Sequence, residues 1–183
     1  KIESGKMKLE PINFNMEEML DTIRELITPQ ASNKGIEVVG EVSLRHSWFM
    51  ADRMRISQVL INLLGNAVKF TPERGRITLT VREVKAGGEN AQVYFAVRDT
   101  GVGIAKEDQD RVFRSFEQAS GTNPAKQQGT GLGLSISSRL VQMMGSNIQL
   151  DSDLGKGSTF SFTIPLTLGE GVEDEQQQTE VSF

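Results

Sequence analysis

Residues Asp52–Phe70 read as one helix with two unlike faces. At 100° per residue, Ile56, Val59, Leu60, Leu63, Leu64, Ala67 and Val68 form a broad apolar band, as a core-facing helix requires. Gln58, Asn62, Asn66 and Lys69 fall off that band, within about 80° of one another. Gly65 stands beside this polar stripe. Asparagine is a middling helix former, and a mid-helix glycine costs about 1 kcal/mol relative to alanine. A solvated face would more naturally carry Glu, Lys or Arg. Two amides, a lysine and a missing side chain suit a surface made for a ligand; taken alone, the helix leaves ordinary exposed polar residues as the alternative.

The flanking segments place this helix in an α+β domain. Met7–Glu10 alternates briefly and reads as a short strand limited by Pro11. Asn15 with Glu18 resembles a capping box, followed by Met16, Met19, Leu20, Ile23, Leu26 and Ile27 at helical spacing. Pro29 disturbs that pattern and Gly35 ends it. Ile36–Val42 alternates toward a strand, and Trp48-Phe49-Met50 is a second apolar run. Asp52 then caps the organising helix. Ile77–Val81 and Val93–Val97, joined through Gly87–Asn90, read as a hairpin. A helical piece follows near Lys106–Phe116, and Ala119–Thr130, without apolar periodicity, reads as a flexible loop. Gly131-Leu132-Gly133-Leu134 opens a helix to about Met144. Ile148–Leu150 and Thr159–Ile164 form a last strand pair. The expectation is a two-layer sandwich, a mixed and mostly antiparallel sheet packed on three helices. Residues 1–7 read as the end of an upstream helix or linker, 8–168 as one domain, and 169–183 as an acidic flexible tail or linker.

Composition narrows the function. A chain of 183 residues can bury a sizeable core. The absence of Cys excludes disulfides, thiolate metal sites and Cys catalysis. No apolar run approaches the roughly 20 residues of a membrane span, and no signal peptide is visible. The opening Lys1-Ile2-Glu3, without an initiator Met, reads as that of an excised fragment. The net charge of −4 is concentrated in 169–183, where five acidic residues and no basic one leave the remainder at +1. Such a balance offers no footprint for nucleic acid.

Three glycine-rich segments carry the remaining signal. Gly131 and Gly133 stand at a helix start, where free N–H groups and the helix dipole favour phosphate. Turn glycines are the plainer alternative. A Rossmann fingerprint needs a strand entering the glycine loop, and nothing in the nine residues upstream of Gly129 resembles one. The Walker A pattern also fails, since Gly155-Lys156-Gly157 is not followed by its Ser or Thr at the required spacing. Asp99 closes a strand just before Gly101 and Gly103. A carboxylate fixed there could accept a hydrogen bond from an exocyclic amino group such as that of adenine, although Asp also starts ordinary turns. Lys69 offers a point charge to phosphate, and Asn66 a hard oxygen to Mg²⁺.

Together these residues resemble sensor histidine kinases. Asn62-Leu63-Leu64-Gly65-Asn66-Ala67-Val68-Lys69-Phe70-Thr71 is similar to their N box, and Asp99-Thr100-Gly101-Val102-Gly103-Ile104 to their G1 box. Arg111–Phe116 resembles the F box, Gly129-Thr130-Gly131-Leu132-Gly133-Leu134 the G2 box, and Gly155–Phe160 the glycine motif after it. All five stand in family order across about residues 8–166. The resemblance implies the GHKL ATP-binding fold with ATP and Mg²⁺ as cofactors. It implies that Asn66 coordinates Mg²⁺, that Asn62 supports the triphosphate site and that Lys69 contacts phosphate, these three forming the catalytic set. Asp99 would bind the adenine amino group, with Gly101, Gly103, Ile104 and Thr159 beside it. Gly129, Thr130, Gly131, Leu132, Gly133 and Leu134 would present backbone to the phosphates, and Ala119–Thr130 would be a mobile lid anchored by Phe113 and Phe116.

Two departures refine the implication. GHKL ATPases such as gyrase, Hsp90 and MutL carry a water-activating Glu one turn before Asn62, where this chain has Gln58. An amide cannot act as general base, which favours phosphoryl transfer over hydrolysis. The phosphoacceptor histidine is also missing: His46 is followed by Ser47 and Trp48 rather than an acidic residue on a helix, and reads as structural. The implied function is that of a protein-histidine kinase's ATP-binding domain, transferring the ATP γ-phosphate to a histidine on a separate dimerisation domain. Its expected partners are that domain and a response regulator receiver domain, without nucleic acid or membrane contact. A cytoplasmic location is expected, in a parent that can be membrane-anchored. A nucleotide-holding regulatory module and a GHKL ATPase remain the competing classes.

Overall fold

The computed structural model describes residues 8–109, 130–170 and 177–182. In chain order the elements are β1 (Ile12–Asn15), α1 (Met16–Asn33), β2 (Glu37–Leu44), β3 (Trp48–Ala51), α2 (Arg53–Phe70), β4 (Arg76–Gly87), β5 (Asn90–Asp99), α3 (Lys106–Gln109), α4 (Thr130–Met143), β6 (Gln149–Asp153), β7 (Gly157–Leu168) and β8 (Gln177–Ser182). The strands form one sheet in the order β1-β3-β7-β5-β4-β2-β8, with β6 also paired to β7. The β2–β4 pairing is parallel and the others are antiparallel. The expected mixed, mostly antiparallel sheet is therefore present.

Helix α2 is the middle of the helical layer, packed between α1 and α4 and against β4 and β5. All seven positions of its apolar band are buried. Asp52 starts it by accepting the Arg55 N–H on Oδ1 at 3.1 Å. The same carboxylate takes the Glu10 N–H on Oδ2 at 2.8 Å and lies 3.4 Å from Arg55 Nε. One buried side chain thus caps the helix and fixes the chain entering the domain. At the other end, Lys34 Nζ donates to the carbonyls of Val68 at 2.8 Å and Lys69 at 3.2 Å. These are among the carbonyls a helix end leaves unpaired.

Strand alternation gives the sheet one apolar face. Leu79, Val97 and Phe160 share a cross-strand row, as do Val81, Phe95 and Phe162. The rings of Phe95 and Phe162 stack at 5.1 Å. These residues are buried and join the α2 band in a single core.

Four expectations need correction. Lys8–Glu10 are not in a strand, and the first described strand begins after Pro11, at Ile12: Pro lacks the N–H a ladder uses, so it stands at the strand's entry, and the Glu10 N–H is already given to Asp52. Helix α1 passes through Pro29 without a break, while its expected end holds: Gly35 is left-handed at φ 64°, and its N–H bonds the Ser32 carbonyl at 3.0 Å. Leu26 is 51% exposed, lying just outside the buried arc of that helix. Finally, the 169–183 segment is not wholly a flexible tail, because 177–182 forms β8 along the outer edge of β2, in antiparallel register from Val39↔Ser182 to Leu44↔Gln177. The edge of β2 offers unpaired backbone groups, and the backbone of 177–182 pairs with them. The expected end of an upstream helix in 1–7 lies outside the described residues.

Candidate functional site

Strand β5 delivers Asp99. Alternation puts it on the face of Val93, Phe95 and Val97, and the register sets it between Ile77 of β4 and Ser158 of β7. It is a carboxylate at the end of an apolar row, 5% exposed. Its Oδ1 accepts the Gly101 N–H at 2.9 Å, and the Ser158 backbone also hydrogen-bonds the carboxylate. Burial raises its pKa above the usual carboxylate value, against the pull of those two hydrogen bonds.

Glycines let three segments close around this point. A Cβ on Gly101 would lie 2.6 Å from the Phe70 carbonyl oxygen, so the loop after β5 presses against the end of α2. A Cβ on Gly157 would lie 2.1 Å from the Asp99 carbonyl oxygen, and one on Gly103 2.0 Å from that of Asp153. Gly103 and Gly157 also hold φ of 74° and 89°, which L side chains rarely adopt. The loop 100–105 is therefore wedged between α2 and the β6–β7 hairpin. Gly155 donates to the Val102 carbonyl at 2.8 Å, and Ile104 donates to Ser152 Oγ at 2.8 Å.

The polar stripe of α2 resolves into residues of different kinds. Asn62 Nδ2 donates to Ser137 Oγ at 3.2 Å and so ties α2 to α4. Asn66 Nδ2 is buried with no hydrogen-bond partner among the described residues. A buried unpaired amide costs about 1–3 kcal/mol, a cost that a ligand oxygen would offset. Beside it, a Cβ on Gly65 would meet nothing within 4 Å. Gln58 and Lys69 are exposed. Helix α4 begins at Thr130, so Gly131, Leu132 and Gly133 occupy its first turn, where backbone N–H groups lack intrahelical partners. Leu134 is buried in the core. Phe113, Phe116, Gly129 and the expected lid up to Gly129 lie outside the described residues, as does the expected helical stretch beyond Gln109.

One expected residue is misplaced. Thr159 pairs with Arg98, on the opposite face of the sheet from Asp99. Ser158 occupies the position across from Asp99 and is 7% exposed. The sequence carried this signal: Phe160, Phe162 and Ile164 lie at even offsets from Ser158, so the period of two puts the serine on the core face. Ser137, Ser152 and Gln109 were also not anticipated. Gln109 Nε2 donates to the carbonyls of Ile104 and Ser152, both at 3.0 Å. His46 is structural, with Nδ1 3.0 Å from Glu83 Oε2, while Glu83 Oε1 accepts the backbone N–H groups of Arg45 and His46.

Comparison with known proteins supplies the family. Residues 51–168 match the family model for histidine kinase-, DNA gyrase B-, and HSP90-like ATPases. The chain is 37% identical over 181 residues to the signal transduction histidine-protein kinase BarA of Escherichia coli K12, covering 98% of this chain and 20% of BarA. It spans 8% of hybrid signal transduction histidine kinase B of Dictyostelium discoideum and 23% of the sensory/regulatory protein RpfC of Xanthomonas campestris. The catalytic domain of histidine kinase ThkA superposes with a TM-score of 0.71 at 31% identity, covering 85% of this chain and 95% of that one. Full-length ShkA in complex with AMPPNP gives a TM-score of 0.75 at 36% identity over 90% of this chain and 33% of that one. With the Asp99 loop wedged against the end of α2, and with these matches over most of its length, the chain belongs to the histidine kinase-, DNA gyrase B- and HSP90-like ATPase family, among the catalytic domains of histidine kinases.

Proposed function

We propose that this chain binds Mg·ATP in the space bordered by α2, the end of β5 and the start of α4, and donates the γ-phosphate to a histidine on a separate dimerisation domain. The observation that carries this reading is the buried Asn66 amide without a partner among the described residues, one helical turn before the Phe70 carbonyl that touches the Asp99 loop. Asp99 would accept the exocyclic amino group of adenine, its carboxylate being held by the Gly101 and Ser158 backbone. Lys69 would contact phosphate, and the first-turn N–H groups of α4 would receive the triphosphate. Asn62, through Ser137, would hold the two helices at a fixed separation.

The residues present fit Mg²⁺. An asparagine can offer a carboxamide oxygen, and the described residues contain no group of three or more His, Cys, Asp or Glu that could hold a metal. Mg²⁺ suits such a site, since it takes few protein ligands and completes its octahedron with phosphate and water. When bound it would neutralise charge on the triphosphate. The protein's own contribution is orientation and electrostatic complementarity. Gln58 provides no general base, which favours transfer over hydrolysis.

By this reading the domain works on the cytoplasmic side, in a parent protein that supplies the phosphoacceptor helices and signals to a response regulator receiver domain. ShkA with AMPPNP supports the nucleotide, and BarA supports the parent's class. No described helix is long and apolar enough to cross a membrane. The test is to mix the purified chain with a separate dimerisation–phosphoacceptor domain and γ-labelled ATP. Phosphohistidine on the added domain is expected. Steady phosphate release without phosphoprotein would favour an ATPase, nucleotide binding with neither would favour a regulatory module, and label on His46 would contradict the proposal.

A further inference from the structure

Ser152, in β6, lies outside the five sequence motifs, yet its hydroxyl meets three polar groups at once. It is 7% exposed. Its Oγ accepts the Ile104 N–H at 2.8 Å, donates to the Gly157 carbonyl at 3.0 Å and lies 2.7 Å from Ser158 Oγ. A hydroxyl has one proton and two lone pairs. With its proton on Gly157, it accepts from Ile104 and from the Ser158 hydroxyl, and its capacity is filled. Gln109 closes the ring by donating to the carbonyls of Ile104 and Ser152.

The positions of these partners give Ser152 a function. Both backbone groups that hydrogen-bond the Asp99 carboxylate belong to segments that Ser152 holds. Gly101 is on the loop anchored at Ile104, and Ser158 is on the strand start anchored at Gly157 and Ser158. The contact between Gly157 and the Asp99 carbonyl leaves no room for a side chain. A hydroxyl 53 residues along the sequence from Asp99 therefore joins the two segments that hold it.

We infer that Ser152 is a positioning residue for Asp99, setting the carboxylate's place in the nucleotide pocket without touching the nucleotide. The inference rests on the ATP-binding reading above. Removing the hydroxyl strands the Ile104 N–H, the Gly157 carbonyl and the Ser158 hydroxyl together, and buried polar groups without partners do not keep their geometry.

The test is a double-mutant cycle read by calorimetric titration of the 183-residue chain with ATP. Ser152→Ala is expected to weaken ATP about tenfold, the factor corresponding to ~1.4 kcal/mol. Ser152→Thr, which keeps the hydroxyl, is expected to recover most of that loss. In an Asp99→Asn background, Ser152→Ala is expected to cost little more, because the group it positions is already altered. Gln109→Ala, at a half-buried position, loosens the same loop from outside and should weaken ATP in the same direction, so the idea stays testable if Ser152→Ala does not fold. Full additivity of Ser152→Ala and Asp99→Asn would overturn the inference, as would a lowered melting temperature with unchanged ATP affinity. Absence of ATP binding by the parent chain would instead remove the functional reading, and this inference with it.

Discussion

At the scale of single residues, Asp99 and Asn66 are groups whose placement costs stability in the absence of a ligand. Burial raises the Asp99 pKa above the ordinary value of about 3.9. Between that value and its raised value, the folded protein holds a proton that the unfolded chain has lost. Stability contributed by this group therefore falls as pH rises through that window, and recovers as pH falls below it. Asp99→Asn should thus gain stability over the parent near pH 7 without nucleotide, and the gain should shrink on acidification; urea midpoints of both proteins across pH measure it. ATP affinity should run the other way, weakening as acid neutralises the acceptor. Asn66→Ala removes a buried amide nitrogen without a partner among the described residues, so unliganded stability should not fall and should gain up to about 1–3 kcal/mol, while the Mg²⁺-dependent part of ATP binding is abolished. Gly101→Ala drives a Cβ to 2.6 Å from a backbone carbonyl. It should cost about 1–3 kcal/mol, read from denaturant unfolding, and shift the loop that supports Asp99.

At the scale of elements, α2 was the most legible part of the chain and the sheet edges were the least. The seven apolar positions of α2 were readable because a period near 3.6 over five turns admits one buried face. Asp99 at the end of an alternating strand was readable for a similar reason, and so was the Asp52 cap. Asp52→Ala should nevertheless cost more than a simple cap, about 2 kcal/mol in thermal or urea unfolding, because the Glu10 N–H and Arg55 lose the same partner. What escaped depended on neighbours distant in sequence. Strand β1 is placed by pairing with β3, and β8 by an edge that only the assembled sheet presents. The contact between Ile104 and Ser152 joins residues 48 apart, with no periodicity to announce it. Motif position points to Thr159, whereas strand alternation points to Ser158. Deleting 177–182 should leave the fold intact and speed amide exchange along the outer edge of β2, without a matching change in β5.

At the scale of the whole molecule, α2 is the shared element: the loop after β5 presses on its C-terminal end, and α4 packs along it through Asn62 and Ser137. On the proposed reading, residues spread from Asn62 to Ser158 serve one ligand. The same reading gives Gln58 its weight: the stripe would hold amides and a lysine for binding, without a carboxylate to activate water. The central claim is that α2 and the end of β5 are two walls of one nucleotide site. Its most direct test is calorimetric titration of the chain and its Asn66→Ala and Asp99→Asn variants with ATP and GTP, each with and without Mg²⁺. The account predicts that Asn66→Ala loses the Mg²⁺-dependent gain in affinity while still preferring ATP, and that Asp99→Asn loses the preference for ATP over GTP; two variants that bind both nucleotides as the parent does would contradict it.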